Sequence, residues 1–493
     1  MKLLTYKDLI HTIKKESIPV DQERLKQVYH FAEEAHADQK RYSGEPFFQH
    51  PLHVANIIAS WGMDQTTIET ALLHDVVEDT SFTVKDLEKK FGKQVAFLVN
   101  GVTNAGKVKL RNSINQEFTE NLRKMFVAMS RDIRVVLVRL ADRYHNMLTL
   151  RAVPKSKQRR IAFETMEIYA PLAERLGMGE MKGDLEDLSF MYIHPKEYRQ
   201  VSRLAEEHFT KAKKTTDKVI LDISKLLKKN HISAQVDGRY KKKYSLYRKL
   251  QRLSVKGDIN KINDLIAVRI ITNNKLDCYK ALGLVHQYFK PVPHMGISDF
   301  IAQPKPNGYQ SIHTKIFNKE GQIIEVQIRT QDMHEQAEFG AAHHSFYSEA
   351  KAKGASEEDL EKGTAFKITQ KMNWVQQLAE WQKQTQSSEE FVTDLKLDAL
   401  SHRIYVFSPL GDVYDLPTQA TPVDFAFAVH SDIGFHLQGA KVNQRMASLD
   451  HPLQSGDIVE VIKSKRKRRP SRDWLTFVKS NKAKAEIKKA LNL

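Results

Sequence analysis

Apolar residues recur at helical spacing through the first 195 positions. QERLKQVYHFAEEAH, PLHVANIIASWG, VKDLEKKFGKQVAFLVNGV and IRVVLVRLADRYHNMLTL each place them about every third or fourth residue. Polar or Gly/Pro punctuation separates these segments. A charged helical stretch continues over 196–232, ending in KVILDISKLLKKN. The pattern then changes. LIAVRIIT (265–272) and GQIIEVQIRT (321–330) read as strands, with DCYKALGLVHQYF as a helix between them. From about 347 to 399 the pattern is helical and polar, broken by Gly354 and Gly363. IYVFSPLGDVYDLP (404–417) reads as a hairpin that opens a compact β-rich segment ending near VEVIKSK. The outline is an all-α module (1–195), an α/β module (196–346), a helical connector (347–399), a small β-rich module (400–465) and a basic tail (466–493). No internal repeat is evident.

Length agrees with this division: 493 residues suggest about three domains at ~150 residues each. No apolar run approaches the ~18 residues a membrane helix needs, and the apolar core of MKLLTYKDLIHTIKK is too short for a signal peptide. A single cysteine, Cys278, excludes an intrachain disulfide and four-Cys zinc sites, so a cytoplasmic location is expected. The formal net charge of +17 points to a polyanionic partner, nucleotide or RNA, although a generally basic soluble protein has the same balance.

Candidate chemistry is densest in ETALLHDVVEDT (69–80). On a continuous helix at ~100° per residue, His74, Asp75, Glu78 and Asp79 share one arc, and Leu72, Leu73, Val76 and Val77 share the other. A solvated acidic face is the plain reading. The His74-Asp75 pair argues for a metal instead, because it supplies an imidazole and a carboxylate. Similar ligand types recur twice. His50 in RYSGEPFFQHP precedes Pro51 at a helix start. Asp142, Asn146 and Thr149 in LADRYHNMLTL lie at i, i+4 and i+7 on one helix face, where a buried aspartate needs a partner or a metal.

The set His, His-Asp, Asp is the ligand set of the HD metal-dependent phosphohydrolases. RYSGEPFFQHP, ALLHDVVEDT and LADRYHNMLTL further resemble the three hydrolase motifs of the RelA/SpoT family, which makes and degrades (p)ppGpp in the stringent response. The resemblance implies that His50, His74, Asp75 and Asp142 hold Mn²⁺, that Glu78 and Asp79 activate the attacking water, and that Arg41, Ser43, Asn146 and Thr149 hold the nucleotide. Tyr42 stands where the family commonly has a basic residue.

GRYKKKYSLYRKL (238–250) is densely cationic, which by charge alone suits a surface helix or an RNA contact. In IIEVQIRT, alternation puts Ile324, Val326 and Ile328 on one face and Glu325, Gln327 and Arg329 on the other. Asn307-Gly308 marks a turn in PKPNGYQSIHT. These segments, with DLIAVR and MHEQAEFG, resemble in order the synthetase half of the same family, which transfers a pyrophosphoryl group from ATP to the 3′-hydroxyl of GDP or GTP. The resemblance implies ATP contacts from Arg239, Lys241, Ser245 and Lys249. It implies Mg²⁺ at Asp264, guanine-nucleotide contacts from Lys305, Asn307, Tyr309 and His313, and Glu325 as a Mg²⁺ ligand or base. The family usually has G-R/K-F-K-D-Y, or an acidic E-F-D-D version, before the DFIAQPK position; HMGISDF is one residue longer, and Ser298 precedes Asp299 where a cation is expected. Ser345 follows His344 where the family usually has Trp.

RIYVFSPLGDVYDLP and the following residues to DIVEV resemble a TGS domain, a β-grasp fold. Such domains contact uncharged tRNA in ribosome-associated members, which implies His430 as a contact; a packed structural histidine is the alternative. The expected protein is multidomain: an all-α HD-type hydrolase domain, an α+β nucleotidyltransferase-like synthetase domain, a helical connector and a β-grasp TGS domain. Bifunctional (p)ppGpp turnover is the leading expectation. The alternatives are a hydrolase-dominant enzyme with a weak synthetase half, a tRNA- or ribosome-binding sensor, and a general HD nucleotidase.

Overall fold

A computed structural model of the protein describes residues 2–104, 132–251, 259, 262, 265–293, 296–305, 307–340, 403–464 and 469–492. Asp264, His344, Ser345 and the connector over 347–399 lie outside them. The chain divides into two compact units, one of residues 1–99 and 137–356, the other of residues 100–136 and 357–493.

The chain begins with helices α1 (Tyr6–Lys15), α2 (Gln22–Ala35), α3 (Gln49–Ser60), α4 (Gln65–Leu73), α5 (Val76–Asp79), α6 (Val84–Phe91) and α7 (Lys93–Asn104). Helix α8 (Arg134–Leu148) follows, then α9 (Lys155–Glu164), α10 (Ala170–Arg175) and α11 (Gly179–Ile193). Side chains of Thr5, Asp21, Asp64 and Thr83 accept from backbone N–H groups in the first turns of α1, α2, α4 and α6. They satisfy donors that have no partner inside the helix. The apolar stripes read from the sequence meet in a core that includes Leu9, Ile13, Leu25, Val28, Leu52, Ile58, Ile68 and Leu72, all at most 1% exposed.

One predicted helix is broken. Residues 71–79 do not run as a single helix: α4 stops at Leu73 and α5 restarts at Val76. The His74 ring Nδ1 lies 2.8 Å from the Ala71 carbonyl, an acceptor that a continuous helix would give to a backbone N–H. The break changes the arc. His74 is buried at 1% exposure while Asp79 is exposed.

The long helix α12 (Pro195–Lys229) leads into a five-stranded mixed sheet. Its strands are β1 (Ala234–Tyr240), β2 (Ile266–Thr272), β3 (Ser298–Asp299), β4 (Ile312–Phe317) and β5 (Ile323–Thr330), in the order β1-β2-β5-β4-β3. β2 and β5 are parallel and the other pairs antiparallel. Helices α13 (Lys243–Leu250), α14 (Lys275–Tyr288) and α15 (Gln331–Phe339) complete this part. Ile324, Val326 and Ile328 join Val268, Ile270 and Ile312 and residues of α12 and α14, among them Ile223 and Val285, in one apolar core. The opposite face of β5 is also covered, with Gln327 and Arg329 buried at 7% and 2% exposure. Alternation identified the two faces but not the burial of the polar one.

In the second unit, β6 (Arg403–Phe407) and β7 (Val413–Pro417) form the expected hairpin. After α16 (Pro422–Val429) and α17 (Ser431–Phe435), β8 (Leu437–Val442), β9 (Arg445–Ala447) and β10 (Val459–Lys463) form a sheet in the order β10-β8-β9. A parallel bridge from Phe407 to Ile458 joins hairpin and sheet. The last segment carries α18 (Trp474–Phe477) and α19 (Asn481–Leu491). Val478, Ala483 and Ile487 pack with Val423, Ala426 and Phe427 of α16. Buried Asp424 accepts from the Lys479 and Ser480 N–H groups and the Ser480 hydroxyl, fixing this segment to the β-rich module.

Candidate active sites

Three segments far apart in sequence bring the first site together. The turn RYSGEP (41–46) closes through the Gly44 N–H to the Arg41 carbonyl, with Gly44 at φ +87°, a conformation that disfavours a side chain. This turn delivers the chain to His50, the second residue of α3. His74 and Asp75 come from the break between α4 and α5. Asp142 comes from α8.

His50 Nε2 lies 3.1 Å from Asp142 Oδ1 and 3.5 Å from Asp75 Oδ2, and His74 Nε2 lies 3.2 Å from Asp75 Oδ1. Donor atoms of His50, His74 and Asp142 all fall within 4.8 Å of one another, and all three residues are buried. Burial depresses the His50 imidazole, favouring the neutral form that a metal requires. Burial alone would raise the Asp142 carboxyl. Its contact with His50 and the Arg139 guanidinium reverse this and hold it below the usual carboxylate range.

The donor set fits a divalent cation. Arg41 Nη1 approaches His145 Nδ1 at 3.3 Å, and His145 Nδ1 lies 2.7 Å from His50 Nδ1. Arginine only donates. His145 Nδ1 is therefore an acceptor, and His50 donates to it through Nδ1–H. The His74 ring likewise donates Nδ1–H to the Ala71 carbonyl. Both Nε2 lone pairs then face carboxylate oxygens, an arrangement that an intervening cation makes favourable.

Three of the other predicted residues, Arg41, Asn146 and Thr149, gather beside Asp142, while Ser43 and Asp79 are exposed. Arg41 Nη2 donates to Asn146 Oδ1 at 3.0 Å and lies 3.4 Å from Thr149 Oγ1, and Asn146 Nδ2 donates to Asp142 Oδ1 at 2.5 Å. Ser43 donates to Glu45. Gln39 donates to the Asp79 carbonyl at 2.6 Å, tying the turn to α5. Glu78 is half-buried there. Sequence reasoning missed His145. Its signal was present: it lies three residues after Asp142 on the same helix face.

The second site lies over the polar face of the sheet. Asp237, Arg269, Gln327, His313 and Ser298 are direct cross-strand partners in one row. Glu325 Oε1 accepts from Gln327 at 2.8 Å and lies 3.4 Å from His313 Nδ1, and the Tyr309 hydroxyl meets His313 Nε2 at 2.8 Å. Lys305 Nζ sits 4.5 Å from the Phe300 ring centroid and 5.1 Å from that of Tyr309. α15 closes the row at its other end. Glu338 accepts from Arg269 at 3.0 Å, and Arg329 Nη2 donates to His334 Nδ1 at 2.7 Å. Burial pushes the Glu338 carboxyl up and the Arg329 guanidinium down.

A cavity of about 250 Å³ lies beside this network, with Arg239, Ser245, Asn307, Tyr309 and Arg329 in its wall. Lys241 and Lys249 are outside its lining. Lys242, which sequence reasoning passed over, is within it, as are Glu180 and Glu338. The α11 carboxylates engage the cations: Glu180 accepts from Arg239 at 3.0 Å and Asp184 from Lys242 at 2.6 Å. Nothing in the local sequence around GRYKKKYS signals these partners, because they come from a helix about 60 residues earlier. Asp299 accepts from the Ile301 and Ala302 N–H groups and from the Tyr279 hydroxyl.

In the second unit His430 is exposed, and its Nδ1 accepts from the Asp432 N–H at the start of α17. It is therefore neither buried nor part of the core.

Fold and site together define a protein with a buried His/Asp metal-type centre in a helical domain, followed by a mixed-sheet domain with a charged face. Family models agree: residues 29–179 match the HD domain, 238–352 the region found in RelA/SpoT proteins, and 404–463 the TGS domain. Over 474 residues the chain is 44% identical to a GTP pyrophosphokinase of Myxococcus xanthus, covering 95% of this chain and 60% of that protein. It is 44% identical to the bifunctional (p)ppGpp synthase/hydrolase RelA of Mycobacterium tuberculosis, covering 94% and 62%. It is 43% identical to the bifunctional (p)ppGpp synthase/hydrolase SpoT of Escherichia coli K12, covering 96% and 66%. The chain belongs to the RelA/SpoT family. It spans 60%, 62% and 66% of the length of these three curated relatives.

Proposed function

We propose that the chain turns over (p)ppGpp at two separate centres, hydrolysing its 3′-pyrophosphate at the His/Asp cluster and forming it over the sheet. The observation that carries this reading is the buried convergence of His50, His74 and Asp142 in a chain 43–44% identical to relatives named as bifunctional (p)ppGpp synthases/hydrolases.

In the first centre, His50, His74, Asp75 and Asp142 hold a divalent metal, assigned as Mn²⁺. When bound, such an ion supplies Lewis-acid charge to phosphoryl oxygens and makes a water more acidic. Glu78 and Asp79 accept the proton of the attacking water. Arg41, Ser43, Asn146 and Thr149 hold the nucleotide. The bond from the 3′-oxygen to phosphorus breaks, releasing GDP or GTP and pyrophosphate.

In the second centre, Arg239, Lys241, Ser245 and Lys249 bind ATP, and Lys305, Asn307, Tyr309 and His313 bind GDP or GTP. Glu325 takes the proton of the 3′-hydroxyl as it attacks the β-phosphorus of ATP, or binds Mg²⁺ with Asp264; AMP leaves. Such transfer depends mainly on positioning and charge neutralisation, which Lys182, Arg239, Lys242 and Arg329 in the cavity wall support.

The purified protein with Mn²⁺ should release pyrophosphate from ppGpp, and Asp75→Ala should abolish it. A folded, Mn²⁺-loaded sample that releases none refutes the hydrolase reading. Synthesis is tested in the Asp75→Ala background with ATP, GDP or GTP and Mg²⁺.

One observation favours a hydrolase-dominant variant of this reading. Ser298, paired with His313 at the sheet edge, stands where the family motif carries a cation. Clear ppGpp formation in the Asp75→Ala background removes that variant. A sensor role through tRNA or the ribosome draws support from the net charge of +17 and the exposed His430. It predicts tRNA binding that weakens steeply with salt and with His430→Ala. Cytoplasmic action follows from these partners, and no described helix is long and apolar enough to cross a membrane.

A further inference from the structure

His145 is fully buried, stacks on His53 at 4.8 Å between ring centroids, and meets His50 Nδ1 to Nδ1 at 2.7 Å. Two nitrogens facing each other can share only one proton in this contact. The Arg41 guanidinium decides which carries it, because it also points at His145 Nδ1, at 3.3 Å, and cannot accept. His145 therefore carries its proton on Nε2. That atom is buried with no hydrogen-bond partner among the described residues. An orphaned buried donor is unfavourable, and here it accompanies an acceptor held at Nδ1.

We infer that His145 is a positioning residue for the metal centre, holding His50 in the Nδ1–H tautomer so that His50 Nε2 presents its lone pair to a divalent cation. The inference rests on the metal-centre reading given above and names a role for a residue outside the ligand set. Outer partners of this kind orient a ligating imidazole and raise its basicity. Most are carboxylates or carbonyls. Here the acceptor is a second imidazole, itself oriented by Arg41. Arg41 reaches Asn146, and Asn146 reaches Asp142, which faces His50 Nε2 at 3.1 Å. Hydrogen bonds thus run without a break from His50 through His145, Arg41 and Asn146 to Asp142. The two ends of this run are candidate metal ligands.

Two replacements of His145 separate this role from simple packing. H145F keeps a ring against His53 but removes the acceptor. H145N loses most of the ring but places an amide oxygen near the position of Nδ1. Binding of Mn²⁺ to the metal-free full chain is followed by loss of the free-ion EPR signal, with Asp75→Ala as the baseline for ions held elsewhere. H145F should weaken the Asp75-dependent site by ~10–100-fold, the range for loss of an outer hydrogen bond to a ligand. H145N should recover most of that loss. Thermal melting of the metal-free variants checks folding, and H145L replaces H145F if the latter does not fold. Wild-type affinity in H145F, or equal weakening in H145N and H145F, overturns the inference while leaving the metal centre intact. A wild-type chain without any Asp75-dependent Mn²⁺ site overturns both.

Discussion

Glu180 on α11 accepts a hydrogen bond from Arg239 on β1 at 3.0 Å, joining the helical domain to the cation proposed to bind ATP. Lys242 adds a second tie, with Nζ 3.3 Å from Glu180 and 2.6 Å from Asp184. Burial would raise the Glu180 carboxyl, but Arg239 and Lys242 hold it below the usual range. A triphosphate entering the cavity competes with these carboxylates for the same cations. A partly exposed pair of this kind contributes about 0.5–1 kcal/mol, so Glu180→Gln should lower the KM for ATP by ~2–5-fold. Steady-state synthesis in the Asp75→Ala background measures it. A raised KM would show that Glu180 orients Arg239 for the nucleotide.

Gly340 follows α15 at φ +51°, and a Cβ there would collide with the backbone of Leu176, Gly177 and Met178. The contact seats the end of α15 against the turn after α10. Alanine must either leave the left-handed conformation or separate these segments. Gly340→Ala should lower the melting temperature by at least ~3 °C, corresponding to about 1 kcal/mol or more in a part of this size. Differential scanning calorimetry reads the shift. An unchanged transition would mean that α15 is free to move away.

Glu186 on α11 is buried, and its carboxyl is pushed up to about 7, chiefly by burial, with Lys182 3.9 Å away as partial compensation. The sign follows from proton binding. Between the ordinary carboxylate value and about 7, the folded chain holds a proton that the unfolded chain has lost. Stability from this group is therefore full at low pH and declines as pH rises through that window. Glu186→Gln should flatten the decline and stabilise the protein at pH 8, by up to about 3 kcal/mol. Denaturant midpoints of both proteins at pH 5.5 and pH 8 test it. A larger gain at the lower pH would contradict it.

Glu69 is fully buried in α4 and receives two hydrogen bonds from Arg24, both 2.8 Å, and one from Gln65. The carboxylate needs the guanidinium more than the half-exposed arginine needs it. Arg24→Ala should therefore destabilise the helical domain by about 3 kcal/mol. Glu69→Gln with Arg24→Met, which removes both charges, should restore much of it. A double variant no more stable than Arg24→Ala would refute the charge argument.

Helical spacing in residues 1–195, the strands LIAVRIIT and GQIIEVQIRT and the hairpin 404–417 all follow from local apolar periodicity, and the described residues contain helices over 6–104 and 134–193, both strands and the hairpin. The motif residues Arg41, His50, His74, Asp75, Asp142 and Asn146 were readable for the same reason: their chemical types are distinctive at short spacing. The helix break at His74 was not, because a side-chain hydrogen bond to Ala71 has the same apolar pattern as an unbroken helix. His145 and Glu180 were also not singled out. Each matters through a partner about 60 or more residues away, and local spacing carries no record of it.

Sequence alone therefore identified the main helical segments of the first domain, strands β2 and β5 and the 404–417 hairpin, the side chains with metal-type and phosphate-type chemistry, and the family they resemble. Tertiary packing decided the rest. It turned His74 inward, gave His50 its tautomer through His145 and Arg41, buried Arg329 under α15, and set the α11 carboxylates against Arg239 and Lys242. Burial and long-range hydrogen bonding fix protonation and charge pairing, and both exist only once distant segments meet.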